Sequence, residues 1–424
     1  MRGDIPEFVR CHPVQYSELL RDKVDALRTR LSGASRSQSI PEIEVFESAR
    51  EHFRMRATFK LWHEADRVHY VMFDQEDSRR LPHEVTQFPM GSHRMNELLP
   101  RLLSALNGVE ELRRRIDYAS FLTTQSGDAL IALTYNRAID TEVWRAAASS
   151  LVTALGEGVT LVGRSRHVKL VEGSESSSVI ERLVVPGRAE DQRPGEGRRG
   201  EAAQPSRGDG MESGTDGGST CRSTSGHDAA ILLHQMDGEF SQPNAGVCER
   251  MLGWAWDVTA GLDATDLCEL YCGNGCFTVA LAPRFRRVFA TELTKASIAL
   301  AHANLAANGV GNVQLGRLSA SEFTQAYAGE RAFHRLGGID LGEYDFSTLL
   351  VDPPRSGLDE TCVKLAARFE RVVYISCNPE TLARDVSTLR GTHRIVRAAA
   401  FDQFAYTPHL EAGVLLERCV CEVT

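Results

Sequence analysis

The period of the apolar residues shifts along this chain, and each shift marks a different kind of element. Between Tyr16 and Leu31 the apolar side chains Leu19, Leu20, Val24 and Leu27 recur every three to four residues, which predicts a helix. From Phe53 to Trp62 the period falls to two. Phe53, Met55, Ala57, Phe59 and Leu61 take one face, and Arg54, Arg56, Thr58, Lys60 and Trp62 take the other. The turn His63-Glu64-Ala65-Asp66 and a second strand, Val68 to Phe73, complete a predicted hairpin with one apolar and one basic face. All periodicity stops between Pro186 and His227, a stretch rich in Gly, Ser, Arg and Glu with no Val, Ile, Leu or aromatic residue. Such a segment cannot bury enough apolar area to offset its ordering entropy, so 186–227 is predicted to be a disordered insertion without catalytic role. From Ala229 the rhythm is strand, helix, strand. Strands are predicted at Asp266–Leu270, Arg287–Thr291, Val313–Leu315, Thr348–Val351, Val372–Ser376 and Gly413–Arg418, with helices such as Lys295–Asn308 and Thr361–Phe369 between them. That alternation predicts a doubly wound α/β domain over 228–424, preceded by an α+β domain over 1–185.

Length and composition agree with two or three ordinary soluble domains. No apolar run approaches the roughly 18 residues of a membrane span, and the first residues carry acids rather than a signal-peptide core, so a cytoplasmic address is expected, with the nucleus left open. The net charge of −9 argues mildly against nucleic acid, but binding depends on where charges lie, not on their sum. The ten cysteines read as reduced thiols.

Three motifs carry chemistry. Asp266-Leu-Cys-Glu-Leu-Tyr-Cys-Gly-Asn-Gly-Cys276 runs a strand into a glycine turn, where Gly273 and Gly275 let backbone approach a ligand. Glu292 ends the next strand, where an acid accepts hydrogen bonds from two ribose hydroxyls, so a nucleoside cofactor is expected. Cys268, Cys272 and Cys276 match no metal or cluster spacing, and no metal is expected. Asp352-Pro353-Pro354-Arg355 places an acid and a stiff wall after a buried strand. Amine-methylating enzymes put an aromatic after a similar pair, and Arg355 counts against that chemistry. In Ser376-Cys377-Asn378-Pro379, Asn378 is a helix cap and Pro379 the first helical residue, so Cys377 is expected beside a helix start that favours thiolate. A thiolate there suits addition to carbon 6 of uracil, which makes carbon 5 nucleophilic enough to take a methyl group; a base must then remove the carbon 5 proton. Glu411 and His409 are the two candidates for that base.

At these motifs the chain resembles the bacterial-type tRNA uracil-5-methyltransferase family. The stretches that carry the resemblance include Phe53-Arg-Met-Arg-Ala57, Phe73-Asp-Gln75, Phe240-Ser-Gln-Pro-Asn244 and Glu269-Leu-Tyr-Cys-Gly-Asn-Gly275. Further on they include Ala290-Thr-Glu292, Val351-Asp-Pro-Pro-Arg-Ser-Gly-Leu-Asp359, Tyr374-Ile-Ser-Cys-Asn-Pro-Glu-Thr-Leu382 and Phe401-Asp-Gln-Phe404 through Glu411. The resemblance implies a Rossmann-like S-adenosyl-L-methionine-dependent methyltransferase domain behind an RNA-binding domain, acting on uridine 54 of tRNA. It implies Cys377 as nucleophile, Glu411 as base, and cofactor contacts at Gln242, Tyr271, Glu292 and Asp352, with Gly273 and position 276 in the same loop. Cys276 departs from the family, which usually has a cofactor-contacting asparagine there. The resemblance also implies that Arg54 helps hold the tRNA arm, and the neighbouring Arg56 and Lys60 are expected to hold phosphates beside it.

The related ribosomal-RNA enzymes are the nearest alternative. Many carry an N-terminal cysteine cluster, whereas this chain has only Cys11 before Cys221, which favours tRNA. A tRNA-folding factor without catalysis and a small-molecule methyltransferase are the other readings. No protein partner is expected.

Overall fold

A computed structural model describes residues 9–35, 39–73, 81–189 and 228–419. The N-terminal part runs α1 (Tyr16–Ala34), β1 (Ile43–Phe46), β2 (Arg56–Glu64), β3 (Arg67–Phe73), β4 (Pro82–Glu84), α2 (His93–Gly108), α3 (Glu110–Arg113), β5 (Ile116–Thr123), β6 (Ala129–Tyr135), α4 (Thr141–Leu155), β7 (Val159–Ser165) and β8 (Val168–Glu172). A hairpin of β9 (Ser178–Ala189) and β10 (Asp228–Met236) follows. The remainder is α5 (Ala245–Val258), β11 (Asp266–Leu270), α6 (Cys276–Leu281), β12 (Arg287–Thr291), α7 (Lys295–Ala307), β13 (Val313–Gly316), α8 (Ala320–Tyr327), β14 (Phe346–Val351), α9 (Glu360–Ala366), β15 (Arg371–Ser376), α10 (Pro379–Leu389), β16 (His393–Phe401) and β17 (Glu411–Arg418).

Eight strands form one sheet in the order β1-β16-β17-β15-β14-β11-β12-β13. All neighbours are parallel except β17, which runs antiparallel to both β15 and β16. Parallel strands covered on both faces read as unbroken apolar runs, and every residue of β11 is buried. The one charge at its start, Asp266, is held by Arg286 at 2.9 and 2.7 Å and by Arg287 at 3.1 Å. Although burial opposes ionisation, these guanidiniums and the Asp345 amide hold its carboxyl down to about 2.

The second sheet has the order β4-β3-β2-β5-β6-β7-β8. α2 and α4 contribute Leu98, Leu102, Trp144 and Leu151 to the core that includes the inner face of this sheet. The alternation foreseen for β2 holds, with Ala57, Phe59 and Leu61 buried and Thr58 and Trp62 outside. The strand starts at Arg56 rather than at residue 53, because Arg54 makes isolated bridges to Gly91 and Asn244 instead of joining the ladder.

The N-terminal segment does not stay with the second sheet. β1 pairs in parallel with β16, and α1 packs on α10. α1 buries Tyr16, Leu20, Val24, Leu27, Leu31 and Ala34, while Leu19, expected on that stripe, is 38% exposed. β9 continues to Ala189, so ordered backbone extends past the boundary expected at 186. The rest of the expected insertion, 190–227, lies outside the described residues, as do Asp74 and Gln75. No described helix is long and apolar enough to cross a membrane.

Candidate active site

The site follows from where the strands of the large sheet stop. Leu270 is in register with Thr291 and with Val351, and Val351 with Tyr374. The residue following β11 is Tyr271, that following β12 is Glu292, that following β14 is Asp352, and that following β15 is Cys377. All four therefore leave the same edge of the sheet, at the carboxyl ends of its strands, where the strand order reverses between β14 and β11 and open α/β sheets bind their ligands. β17 enters this edge from the opposite direction. Ser376 pairs with Ala412, so the next residue outward on each strand sets Cys377 opposite Glu411.

A cavity of about 660 Å³ opens at this edge. Its walls include Cys377 and Glu411 together with Gln242, Tyr271, Gly273, Cys276, Glu292 and Asp352, so all the catalytic and cofactor residues expected from sequence are brought together. Arg54, Arg56 and Lys60 are not among its walls. Gln242 arrives from the segment between β10 and α5. That segment is clamped by Met55 N–H donating to Pro243 O (2.7 Å) and Asn244 N–H donating to Gln403 Oε1 (2.9 Å). Tyr271, Gly273 and Gly275 all have positive φ, 62°, 55° and 80°, which coils the loop back over the end of β11. Glu292 braces the same loop, accepting from Gly273 N–H at 3.3 Å and from Thr294 N–H at 2.8 Å.

Sequence reasoning missed three contributors. Glu269, inside β11, lines the cavity with its carboxyl buried and Oε2 unpartnered. An acid in the middle of an apolar strand was the available signal. Arg355 lines the cavity beside Cys377 and donates from Nη2 to Nδ1 of His409 at 3.0 Å. Its carbonyl accepts from Asn378 Nδ2 (2.9 Å) and Thr381 Oγ1 (3.3 Å), which ties the proline turn to the start of α10. Lys23 of α1 reaches across to Asp402 Oδ1 (2.8 Å) and Phe404 O (3.1 Å), holding the loop that precedes Glu411. Nothing local in the sequence marks that contact.

The electrostatics differ from the sequence expectation at Cys377. Asn378 caps α10, and Pro379 is its first residue, as foreseen. The thiol is nevertheless pushed up to about 11 by burial and by the charges of Glu411 and Asp352, against which Arg355 acts. Desolvation and two carboxyls outweigh one guanidinium and a backbone hydrogen bond. Burial likewise raises Asp352 to about 7, and burial with the Asp352 charge raises Glu269 to about 8 and Glu411 well above the usual range. His409 is shifted the other way, by burial and then by the charges of Arg355 and Lys23, so it is neutral, with Nδ1 occupied as an acceptor.

The basic strand face is also more constrained than its pattern implied. Arg54 Nε donates to Arg56 O (3.0 Å), and Arg56 Nη1 donates to Glu239 O (2.9 Å) and Ser241 Oγ (3.3 Å). Burial lowers the pKa of both guanidiniums. Lys60 pairs with Asp117 and sits over the Tyr118 ring at 4.5 Å. Arg56 is thus bonded to two residues of the cavity wall, and Lys60 stands four residues further out.

The residues present fit a nucleoside cofactor with a cationic centre. Five acids (Glu239, Glu269, Glu292, Asp352 and Glu411) line the cavity against a single permanent cation, Arg355, and Glu269 Oε2 has no hydrogen-bond partner. Among the described residues no group of three or more His, Cys, Asp or Glu is arranged to hold a metal ion.

Comparison with known proteins gives the family of the chain. The profile of the tRNA (uracil-5-)-methyltransferase family matches residues 15–197 and 223–419. A tRNA/tmRNA (uracil-C(5))-methyltransferase of Azotobacter vinelandii is 46% identical over 98% of this chain and 99% of its own. The protein of the same name from Ectopseudomonas mendocina is 48% identical over 89% of this chain and 91% of its own. Among solved structures, the tRNA (uracil-54, C5)-methyltransferase of Pyrococcus abyssi, in complex with S-adenosyl-L-homocysteine, superposes with a TM-score of 0.63 at 19% identity, covering 95% of this chain and 83% of that one, and so shares the fold. With a profile match along nearly all of its length and relatives this similar, the chain belongs to the tRNA (uracil-5-)-methyltransferase family.

Proposed function

We propose that this protein methylates carbon 5 of a uridine in tRNA, at position 54, with S-adenosyl-L-methionine as methyl donor. The single observation that carries the chemistry is the strand register that sets Cys377 opposite Glu411 at the edge of one cavity. When bound, the cofactor supplies a methyl group activated on a cationic sulfonium. Gln242, Tyr271, Gly273, Cys276, Glu292 and Asp352 are the walls we assign to holding it. Cys377 Sγ adds to carbon 6 of the extruded uracil, and its thiol proton passes to solvent water. After methylation a Glu411 carboxylate oxygen takes the carbon 5 proton, and Sγ leaves. Glu411 is preferred to His409 as that base because Arg355 already occupies the His409 Nδ1 lone pair.

The sheet of residues 56–172, with Arg54 and Arg56 between it and the cavity, is assigned to the tRNA arm, and Lys60 to phosphate beyond them. Extruding the base costs a few kcal/mol, less from a loop than from a duplex. The cytoplasm, where tRNA is matured, is the proposed address.

The test is transfer of a labelled methyl group to tRNA lacking the modification. Cys377→Ala is expected to retain S-adenosyl-L-homocysteine binding and lose transfer entirely. Glu411→Gln is expected to accumulate a covalent protein–RNA adduct that resists denaturing electrophoresis. Methylation by Cys377→Ala at the wild-type rate would remove the covalent mechanism.

A further inference from the structure

The cavity wall contains a thiol pair that the methyl-transfer chemistry does not use. Cys248 lies in the first turn of α5, Cys276 is the first residue of α6, and their sulfurs are 3.9 Å apart. Both line the cavity. Cys248 is buried, at 2% exposure, whereas Cys276 is only half-buried and faces the space assigned to the cofactor. A disulfide needs about 2.05 Å between sulfurs, so each sulfur has to move by about 1 Å, within reach of side-chain rotation and small helix shifts.

We propose that Cys248 and Cys276 form a reversible disulfide when the protein meets a hydroperoxide, and that this modification closes the cofactor end of the cavity. The accessible Cys276 sulfur attacks the terminal peroxide oxygen. The O–O bond breaks, and the departing oxygen takes up the thiol proton and leaves as water or an alcohol, which gives a sulfenic acid at Cys276. Cys248 Sγ then attacks that sulfur, the S–O bond breaks, and the hydroxyl leaves as water with the Cys248 proton. Two thiols are oxidised and one peroxide is reduced. A dithiol reverses the bond by exchange. Cross-linking draws Cys276 back toward α5 and pins the start of α6, which carries the end of the glycine loop. The effect on the cofactor rests on the cavity assignment made above, whereas the cross-link does not.

The experiment treats the full-length reduced protein with hydrogen peroxide, blocks remaining thiols, and maps peptides by mass spectrometry, with S-adenosyl-L-homocysteine binding measured by calorimetry in parallel. The expected result is a Cys248–Cys276 peptide lighter by two hydrogens and a loss of affinity of about tenfold or more. Dithiothreitol is expected to reverse both. Cys248→Ala is expected to keep its own reduced-state affinity through the peroxide step. Cys377→Ala is expected to lose affinity as the unmodified chain does, which separates this event from oxidation of the nucleophile. Should the Cys248 variant fail to fold, saturating S-adenosyl-L-homocysteine in the unmodified chain is expected to slow cross-linking. Absence of the Cys248–Cys276 peptide, a cross-link to Cys272 in its stead, or undiminished affinity in the linked protein overturns the proposal. A reduced protein with no affinity for the ligand defeats the cavity assignment, while peptide mapping still decides the disulfide.

Discussion

Cys377, Asp352 and Glu411 share one cavity whose single permanent cation among the lining residues is Arg355. Burial raises all three, the Asp352 charge further raises Glu411, and both carboxyls raise Cys377. The free protein therefore keeps Cys377 as a thiol, and the proposed nucleophile must be unmasked by what enters the cavity. With a pKa of about 11, roughly one thiol in 10⁴ is ionised at pH 7. Alkylation of Cys377 by iodoacetamide, followed by peptide mass spectrometry, is expected to be slow at neutral pH and to inflect near 11. Asp352→Asn removes a charge that raises the thiol and is expected to move the inflection down, whereas Arg355→Ala is expected to move it up. An inflection near 7 in the unmodified chain would mean that the helix start outweighs burial.

At the scale of elements, two buried charges pin strands and helices that lie far apart in sequence. Glu181 of β9 is fully buried and accepts from Gln125 N–H at 3.0 Å. Burial lifts it to about 7, with the nearby Glu249 charge adding and the Gln125 amide opposing. A carboxyl raised on folding contributes stability that is complete below its unfolded value, near 4.5, and is lost as pH climbs through about 7. Glu181→Gln stays neutral and keeps an acceptor for Gln125. In urea melts it is expected to gain about 2 kcal/mol on the unmodified protein between pH 5 and pH 8, and a constant difference across that range would refute the assignment. Lys23 and Asp402, with side chains 9% and 1% exposed, join α1 to the loop after β16. Lys23→Met strands a buried carboxylate and is expected to cost about 3–5 kcal/mol. Adding Asp402→Asn is expected to recover much of that, and a second substitution that merely adds to the loss would count against a direct pair.

These long-range ties also mark what the sequence could reveal. β11 and β12 begin and end where their apolar runs predicted, because a strand buried on both faces leaves its full length in the pattern. Four of the cavity residues were legible for the same reason, since Tyr271, Glu292, Asp352 and Cys377 each directly follow such a strand. β1 was not legible: it has four residues, and its partner β16 lies some 350 positions away. Cys377 was expected after a strand and beside a helix start, which is where the fold has it, and the surroundings push its thiol up. Position follows from local chain chemistry, whereas the proton affinity depends on Asp352 and Glu411, which only the assembled sheet brings near.

For the whole molecule, the tract at 190–227 is expected, from its composition, to be separable from both halves of the proposed machinery. Ala189 and Asp228 are paired partners in the β9–β10 ladder, so the chain enters and leaves this tract at adjacent points. A hairpin needs only two to five residues to join such ends. Replacing 190–227 by a four-residue Gly/Asn-rich turn shortens the closed loop by nearly a factor of ten, which is expected to stabilise the protein by about 2 kcal/mol through loop-closure entropy. Methyl transfer to tRNA should then proceed with kcat/KM unchanged to within about threefold, which corresponds to less than 1 kcal/mol in the transition state. A higher urea midpoint with intact transfer would mean that the sheet of residues 56–172 and the α/β sheet suffice to grip and modify the RNA. A rise in KM for tRNA with kcat preserved would instead assign to the tract's arginines a share of the phosphate contacts that Arg54, Arg56 and Lys60, engaged as they are with neighbouring protein groups, do not supply alone.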